Sequence, residues 1–210
     1  MQSSYGLSRE QLDQFALDSH QKAARAISEG HFDTQIVPVE VTKGKQTLTF
    51  ARDEHVREGV ELSDLARLKP AFKRDGVVTA GNASAISDGA AALVLMRQST
   101  ADQKGAKPIA RIVAQTNHAQ EPEWFTTAPA TAIARVFERT QLGKGDIDLF
   151  EINEAFSVVA LAVKDRLGLD LEKINVHGGA VALGHPIGAS GARILTTLLY
   201  AMEDRQARRG

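Results

Sequence analysis

Apolar positions recur at helical spacing from Leu12 through Phe15, Ala16, Ser19, Ala23, Ala26 and Ile27, which predicts an amphipathic helix of about five turns. Ser8 is placed to cap it, with Gln11 at the capping-box position, Leu7 and Leu12 as the flanking apolar pair and Gly30 as the stop. The period then shortens to that of strands. Residues 36–41 and 46–50 flank Lys43-Gly44-Lys45 as a hairpin, and Pro38 marks the first as an edge strand. Ser63 can cap a short helix that ends before Lys69-Pro70. Residues 77–79 read as a short strand leading into Ala80-Gly81-Asn82-Ala83-Ser84. The apolar run 90–96, bounded by Asp88-Gly89 and Arg97-Gln98, predicts a strand buried on both faces. A short helix over 100–104 stops at Gly105, and strands follow at 109–114, 149–152 and 174–176. Helices are predicted over 129–140, from Asn153-Glu154 through Leu167 with Gly168 as the stop, and over 190–208. This alternation predicts an α/β fold with a mixed or parallel sheet, and 105–108 is the best place for a domain boundary.

Composition narrows the function classes. With 43% hydrophobic residues in 210, the chain can bury a normal core. Lys+Arg 25 against Asp+Glu 26 leaves a net charge of -1, so no global field favours nucleic acid or an anionic membrane. No apolar run reaches membrane-spanning length, and Met1 is followed by polar Gln2-Ser3-Ser4 rather than a secretory signal. The expected location is cytoplasmic. The sequence has no cysteine, which removes disulfides, thiolate metal sites and any thiol nucleophile from this chain. None of the six histidines forms an HxH or HxxxH pair, and no metal site is expected.

The candidate chemistry centres on GGAVALGHPIGASGAR, residues 178–193, which sets His185 among glycines just before a predicted helix. Glycines allow close backbone approach, and a helix start favours negative charge. Asn153 and His185 each fall just beyond the carboxyl end of a predicted strand, where open α/β sheets place ligands. Two donors aimed at one oxygen make an oxyanion hole, worth roughly 3 to 4 kcal/mol per donor in a transition state. Asn153 taken alone also fits a helix N-cap, and both roles can coexist.

In the order TAGNAS (79–84), NEAF (153–156) and GGAVALGHPIGASGAR (178–193), these strings closely resemble the thiolases, the acetyl-CoA acetyltransferases and 3-ketoacyl-CoA thiolases. The resemblance runs from Gly6 to Gly210 and includes PEWFTTAP (122–129). It implies a layered fold of mixed sheets packed with helices. It also implies Claisen condensation of acyl-CoA to a 3-ketoacyl-CoA, or the reverse thiolysis by CoA, within fatty acid metabolism. In the family a cysteine is acylated, the histidine matching His185 takes its proton, and the asparagine matching Asn153 holds a water that completes an oxyanion hole. A second cysteine moves the proton on and off the carbon nucleophile. By the same carry-over Ala80 and Ser84 lie along the pantetheine arm, Arg57 against the CoA adenine and Phe125 beside the acyl or pantetheine pocket. A solvated loop arginine and a plain core aromatic remain the other readings of Arg57 and Phe125.

Neither cysteine is in this sequence, and the resemblance implies chains nearly twice as long. The sequence therefore reads as a fragment truncated at both ends. Residues 1–105 are expected to be a remnant of the loop region and the end of the N-terminal domain. Residues 106–210 are expected to be a C-terminal domain lacking its last strands. The isolated chain is expected to be inactive, to bind acyl-CoA as substrate and to hold no permanent cofactor. The alternatives are a subunit of a split thiolase, completed by a complementary N-terminal half, and a non-catalytic acyl-CoA binding or interaction protein. The resembled family forms homo-oligomers.

Overall fold

The computed structural model describes residues 6–210, so the polar opening Met1-Gln2-Ser3-Ser4 lies outside them. Helix α1 (Arg9–Ser28) forms as its pattern predicts: Ser8 Oγ accepts from the Gln11 N–H at 3.2 Å, and Gln11 Oε1 accepts from the Ser8 N–H at 2.7 Å. Its buried residues are Leu12, Asp13, Phe15, Ala16, Leu17, Ser19, His20, Ala23 and Ala26. Strands β1 (Val39–Lys43) and β2 (Gln46–Phe50) pair antiparallel around Gly44-Lys45, with Gly44 at φ +67°. All ten strand positions are exposed.

The remaining helices are α2 (Leu62–Ala66), α3 (Gln98–Lys104), α4 (Ala128–Thr140), α5 (Ser157–Leu167), α6 (Ala180–Leu183) and α7 (Ile187–Asp204). Gly105 and Gly168 end α3 and α5 in the left-handed conformation. Helix α5 starts at Ser157, not at Asn153: Phe156 is its N-cap and the Ser157 N–H donates to Asn82 O at 2.9 Å. Asn153 therefore does not cap it. Helix α7 begins three residues before the expected 190 and ends at 204.

The predicted strands fare differently. Residues 90–96 and 109–114 form no strand, and Val94, Leu95, Ile109 and Val113 are 65–87% exposed. An apolar run becomes a doubly buried strand only when neighbours pair with it on both sides, and the described residues supply none. Thr79 makes one antiparallel bridge to Pro70. Segments 149–152 and 174–176 meet in a single parallel bridge, Phe150 to Ile174.

The core forms where α1 packs on α5, α6 and α2. One cluster joins Leu12, Phe15, Ala130, Ile152, Val158, Leu161, Val163 and Ile174, and a second joins Ala23, Ala26, Phe32 and Leu183. Asn82, fully buried, ties the 79–84 turn to α1: its Nδ2 donates to Asp13 Oδ1 at 2.7 Å and its Oδ1 accepts from the Thr79 N–H at 2.9 Å. No helix among the described residues is long and apolar enough to cross a membrane.

One buried imidazole sets a pH dependence. His20 is buried on α1, and its Nδ1 accepts from the Arg57 N–H at 3.2 Å, which requires a neutral ring. Burial first, then the charges of His55 and Arg57, lower its pKa to about 4. The unfolded chain therefore binds this proton more tightly. The stabilisation is complete above the unfolded pKa of about 6.5 and is lost as pH falls toward 4. Between neutral pH and about pH 5 the loss is expected to be about 1 kcal/mol after allowance for solvent screening. Urea midpoints check it: His20→Gln, whose side-chain carbonyl can accept the same N–H, should lose less over that interval, and an equal loss would assign the effect to other groups.

Candidate functional site

The site is built from two chain crossings held together by one side chain. Phe150 and Ile174 bridge, with the Phe150 N–H donating to Lys173 O at 2.8 Å and the Asn175 N–H to Phe150 O at 2.9 Å. The ladder then continues through a side chain. Asn175, at φ +46°, accepts from the Ile152 N–H at 2.7 Å through Oδ1, and its Nδ2 donates to Ile152 O at 2.8 Å and Glu154 Oε1 at 2.7 Å. That clamp fixes residues 152–154 and with them Asn153.

Beyond Asn175 the chain turns through Gly178 and Gly179 into α6, and the glycines are needed for packing. A Cβ on Gly178, at φ +77°, would stand 2.6 Å from Ser19 O and 2.7 Å from Ala23 Cβ; one on Gly179 would stand 2.3 Å from Glu154 Cδ. Glu154 is fully buried, accepting from Ser19 Oγ at 2.8 Å, Asn175 Nδ2 and the Val181 N–H at 3.1 Å. Burial raises its pKa against those hydrogen bonds, which lower it. Burial likewise raises that of Glu151, to about 8, although Arg193 lies 3.1 Å away. Gly178 and Gly179 thus seat α1 and a buried carboxyl rather than an anion.

His185 follows α6 after Gly184, and its N–H donates to Ala85 O at 2.9 Å. Its ring is fixed at both nitrogens. Ser190 Oγ donates its one proton to Pro186 O at 3.0 Å, so it accepts from His185 Nδ1–H at 2.6 Å. Nε2 then carries the lone pair and accepts from Asn153 Nδ2 at 3.3 Å. Burial and the Arg193 charge lower the His185 pKa, so the imidazole is neutral at neutral pH. Asn153 Oδ1 is buried without a hydrogen-bond partner among the described residues. Beside His185 a shallow depression of about 450 Å³ is lined by 87–91 and 186–189.

The structure brings Asn153 and His185 together, while Ser84 and Phe125 reach the segment after Asn153, at Ala155 and Phe156. Ser84 donates both its N–H, at 3.1 Å, and its Oγ–H, at 3.0 Å, to Ala155 O, two residues from Asn153. Ala83 bridges Phe156, and Phe125 meets the Phe156 ring edge-on at 6.2 Å. Ala80 is exposed at the turn that Asn82 holds. Arg57 is exposed, and its backbone N–H goes to His20. Sequence reasoning missed Asn175, Ser190 and Glu154, whose roles are set by contacts between distant segments. Only Ser190, five residues after His185, carried a local signal.

Residues 1–99 match the family model described as thiolase, N-terminal domain, and residues 106–210 that described as thiolase, C-terminal domain. A probable acetyl-CoA acyltransferase of Staphylococcus aureus (strain NCTC 8325 / PS 47) is 48% identical over 201 residues, covering 95% of this chain and 51% of its own. An acetyl-CoA acetyltransferase of Allochromatium vinosum is 47% identical over 207 residues, covering 98% and 52%. Among solved structures, the Bacillus anthracis acetyl-CoA acetyltransferase superposes with a TM-score of 0.95 at 45% identity, covering 98% of this chain and 52% of that one. Human mitochondrial 3-ketoacyl-CoA thiolase superposes at 0.88 and 38% identity, with the same coverage. The chain spans about half the length of the curated relatives it matches.

Proposed function

The chain belongs to the thiolase family and has its fold, and we propose that it carries the histidine–asparagine half of a thioester site for Claisen-type acyl transfer on acyl-CoA. The observation that carries this reading is the neutral His185 ring, its Nδ1–H held by Ser190 and its Nε2 lone pair 3.3 Å from the Asn153 amide. A thiol with a pKa near 8.5 is mostly protonated at neutral pH. On this reading His185 Nε2 takes that proton, the thiolate forms a C–S bond to the thioester carbonyl, and the displaced sulfur leaves as the old C–S bond breaks, taking the proton back from His185. Asn153, with Oδ1 free of partners among the described residues, is suited to fix a water beside the developing oxyanion. The sequence holds no cysteine, so every thiol in this chemistry comes from another stretch of polypeptide or from CoA.

The remaining carried-over residues fit the same proposal. Ser84 Oγ spends its proton on Ala155 O and keeps a lone pair for an amide N–H of a pantetheine arm. Phe125 borders that arm with Phe156, Ala80 lies further along it, and Arg57 is the exposed cation assigned to the CoA adenine. The two family matches support a division of the chain near 105. A cytoplasmic setting belongs to the same reading.

A chimera tests it. This chain replaces the matching 201 residues of the Staphylococcus aureus relative, and cleavage of a 3-ketoacyl-CoA by CoA is assayed. Turnover within about tenfold of the parent is expected, because residues that touch reacting atoms tolerate little displacement. A folded but inactive chimera beside an active parent would overturn the proposal.

A second reading rests on the apolar segments 85–97 and 106–121, which have no strand neighbour among the described residues and expose Ile86, Val94, Ile109 and Ile112. Such edges suit a companion polypeptide that adds strands and supplies the cysteines. Co-expression with the first half of the same relative is expected to give a stable, active complex. Recovery of the two chains separately, without activity, would remove this reading.

A further inference from the structure

His31, His177 and Asp204 lie far apart in sequence but meet at one rim of the molecule. His31 sits in the turn after α1, His177 in the bend before α6, and Asp204 is the last residue of α7. His31 Nδ1 is 2.8 Å from Asp204 Oδ2, and His177 Nε2 is 3.8 Å from the same oxygen. One ligand atom from each lies within 4.8 Å of the others. Tyr200, one turn before Asp204, anchors this rim by donating its hydroxyl to Thr34 O at 3.3 Å.

We propose that His31, His177 and Asp204 form a binding site for a divalent transition metal of the zinc class. Two imidazole nitrogens and one carboxylate oxygen are the donor set such ions take, and bonds of about 2.0–2.2 Å place tetrahedral ligands about 3.3 Å apart. The observed 2.8 and 3.8 Å bracket that value, so each histidine–aspartate pair adjusts by about half an ångström, and the two imidazole nitrogens, within 4.8 Å of one another, approach as the rings tilt. The outer contact fits as well. His31 Nε2 faces Glu29 Oε2 at 3.0 Å, the carboxylate–histidine arrangement that orients a ligating ring. The His31 and His177 rings stack at 4.6 Å and 15°, and binding tilts both toward the ion. Phe32, edge-on to His177 at 6.0 Å, walls the inner side. His31 and Asp204 are 30% and 32% exposed while His177 is 5%, which leaves an entry from solvent and room for a water ligand. Glu29 and Asp204 together offset the neighbouring Arg205. The spacing that predicted no metal was local, whereas these donors are brought together by α1 and α7.

Zinc titrated into the purified chain against a chromogenic chelator is expected to bind at about one ion per chain in the low-micromolar range, and to raise the unfolding temperature in step with its concentration. His31→Gln and Asp204→Asn, both on the exposed rim, should each weaken binding at least about tenfold, and Glu29→Gln by a smaller factor. His55→Gln and His118→Gln should leave it unchanged. His177→Gln is read together with its unfolding curve because the ring is buried, and the two rim variants decide the matter if it does not fold. Zinc affinity weaker than about millimolar, or affinity unchanged in both rim variants, would overturn the proposal and leave His31 as a ring hydrogen-bonded between Glu29 and Asp204.

Discussion

Gly179→Ala is expected to lower the unfolding free energy by at least ~3 kcal/mol, the cost of driving one methyl group into a buried carboxyl. The added carbon would stand 2.3 Å from Glu154 Cδ and 2.4 Å from Oε1, well inside any real contact. The backbone is not the obstacle, because Gly179 has φ -143°, which alanine adopts freely. The obstacle is the carboxyl. To move, Glu154 must abandon Ser19, Asn175 and the Val181 N–H, leaving buried polar groups without partners. Gly191→Ala is the internal control: beyond its chain neighbours and its own helix backbone, its Cβ would meet no atom of the described residues within 4 Å, and the site lies inside α7. That change is expected to be neutral or to stabilise by up to about 1 kcal/mol. Urea denaturation of the three chains decides it, and a Gly179→Ala chain with an unaltered midpoint would mean that Glu154 has somewhere else to go.

In the active chimera, His185→Ala is expected to reduce kcat/KM about 10³-fold, the usual scale for a lost general base. The protein should remain folded, since the ring is only partly buried at the mouth of the site. Ser190→Ala removes the acceptor at Nδ1 together with the Oγ–H bond to Pro186 O and frees the ring to change tautomer, so a smaller loss of about 10-fold to 100-fold is expected. The pH profile adds a readout that packing would not move. His185 has a lowered pKa, the neutral ring is the active form, and activity is lost as pH falls through that lowered value. The acid limb should therefore lie below that of an unperturbed imidazole. A His185→Ala chimera keeping more than about a tenth of the activity would remove His185 from the chemistry.

What could be read from the sequence divides by the range of the interactions involved. Helix α1, its Ser8–Gln11 box and the Gly44 hairpin depend on residues within a few positions, and the structure has them, although the first strand runs Val39–Lys43 rather than 36–41 and leaves Pro38 outside it. The run 90–96 has the composition of a buried strand, but strand formation depends on partners, and it stands 44–87% exposed at Val94, Leu95 and Met96. Asn153 and His185 were legible as a pair because each is read from the sequence as lying beyond a strand end; Asn153 does follow 149–152, whereas α6 stands between 174–176 and His185. The Asn175 clamp was not legible, since a side chain completing a ladder has no period. Gly178 and Gly179 pointed to a ligand in sequence and serve helix packing in the structure, because close approach is the same requirement whichever group approaches.

The single bond from the His185 N–H to Ala85 O makes that amide a built-in gauge. Ala85 begins the segment that lacks a strand neighbour, so whatever steadies 86–96 also steadies the carbonyl on which His185 hangs. Slow hydrogen exchange at His185 would then report occupancy of an edge whose far end, Met96, is eleven residues beyond Ala85. A spectroscopist following that one proton could watch assembly from inside the candidate site.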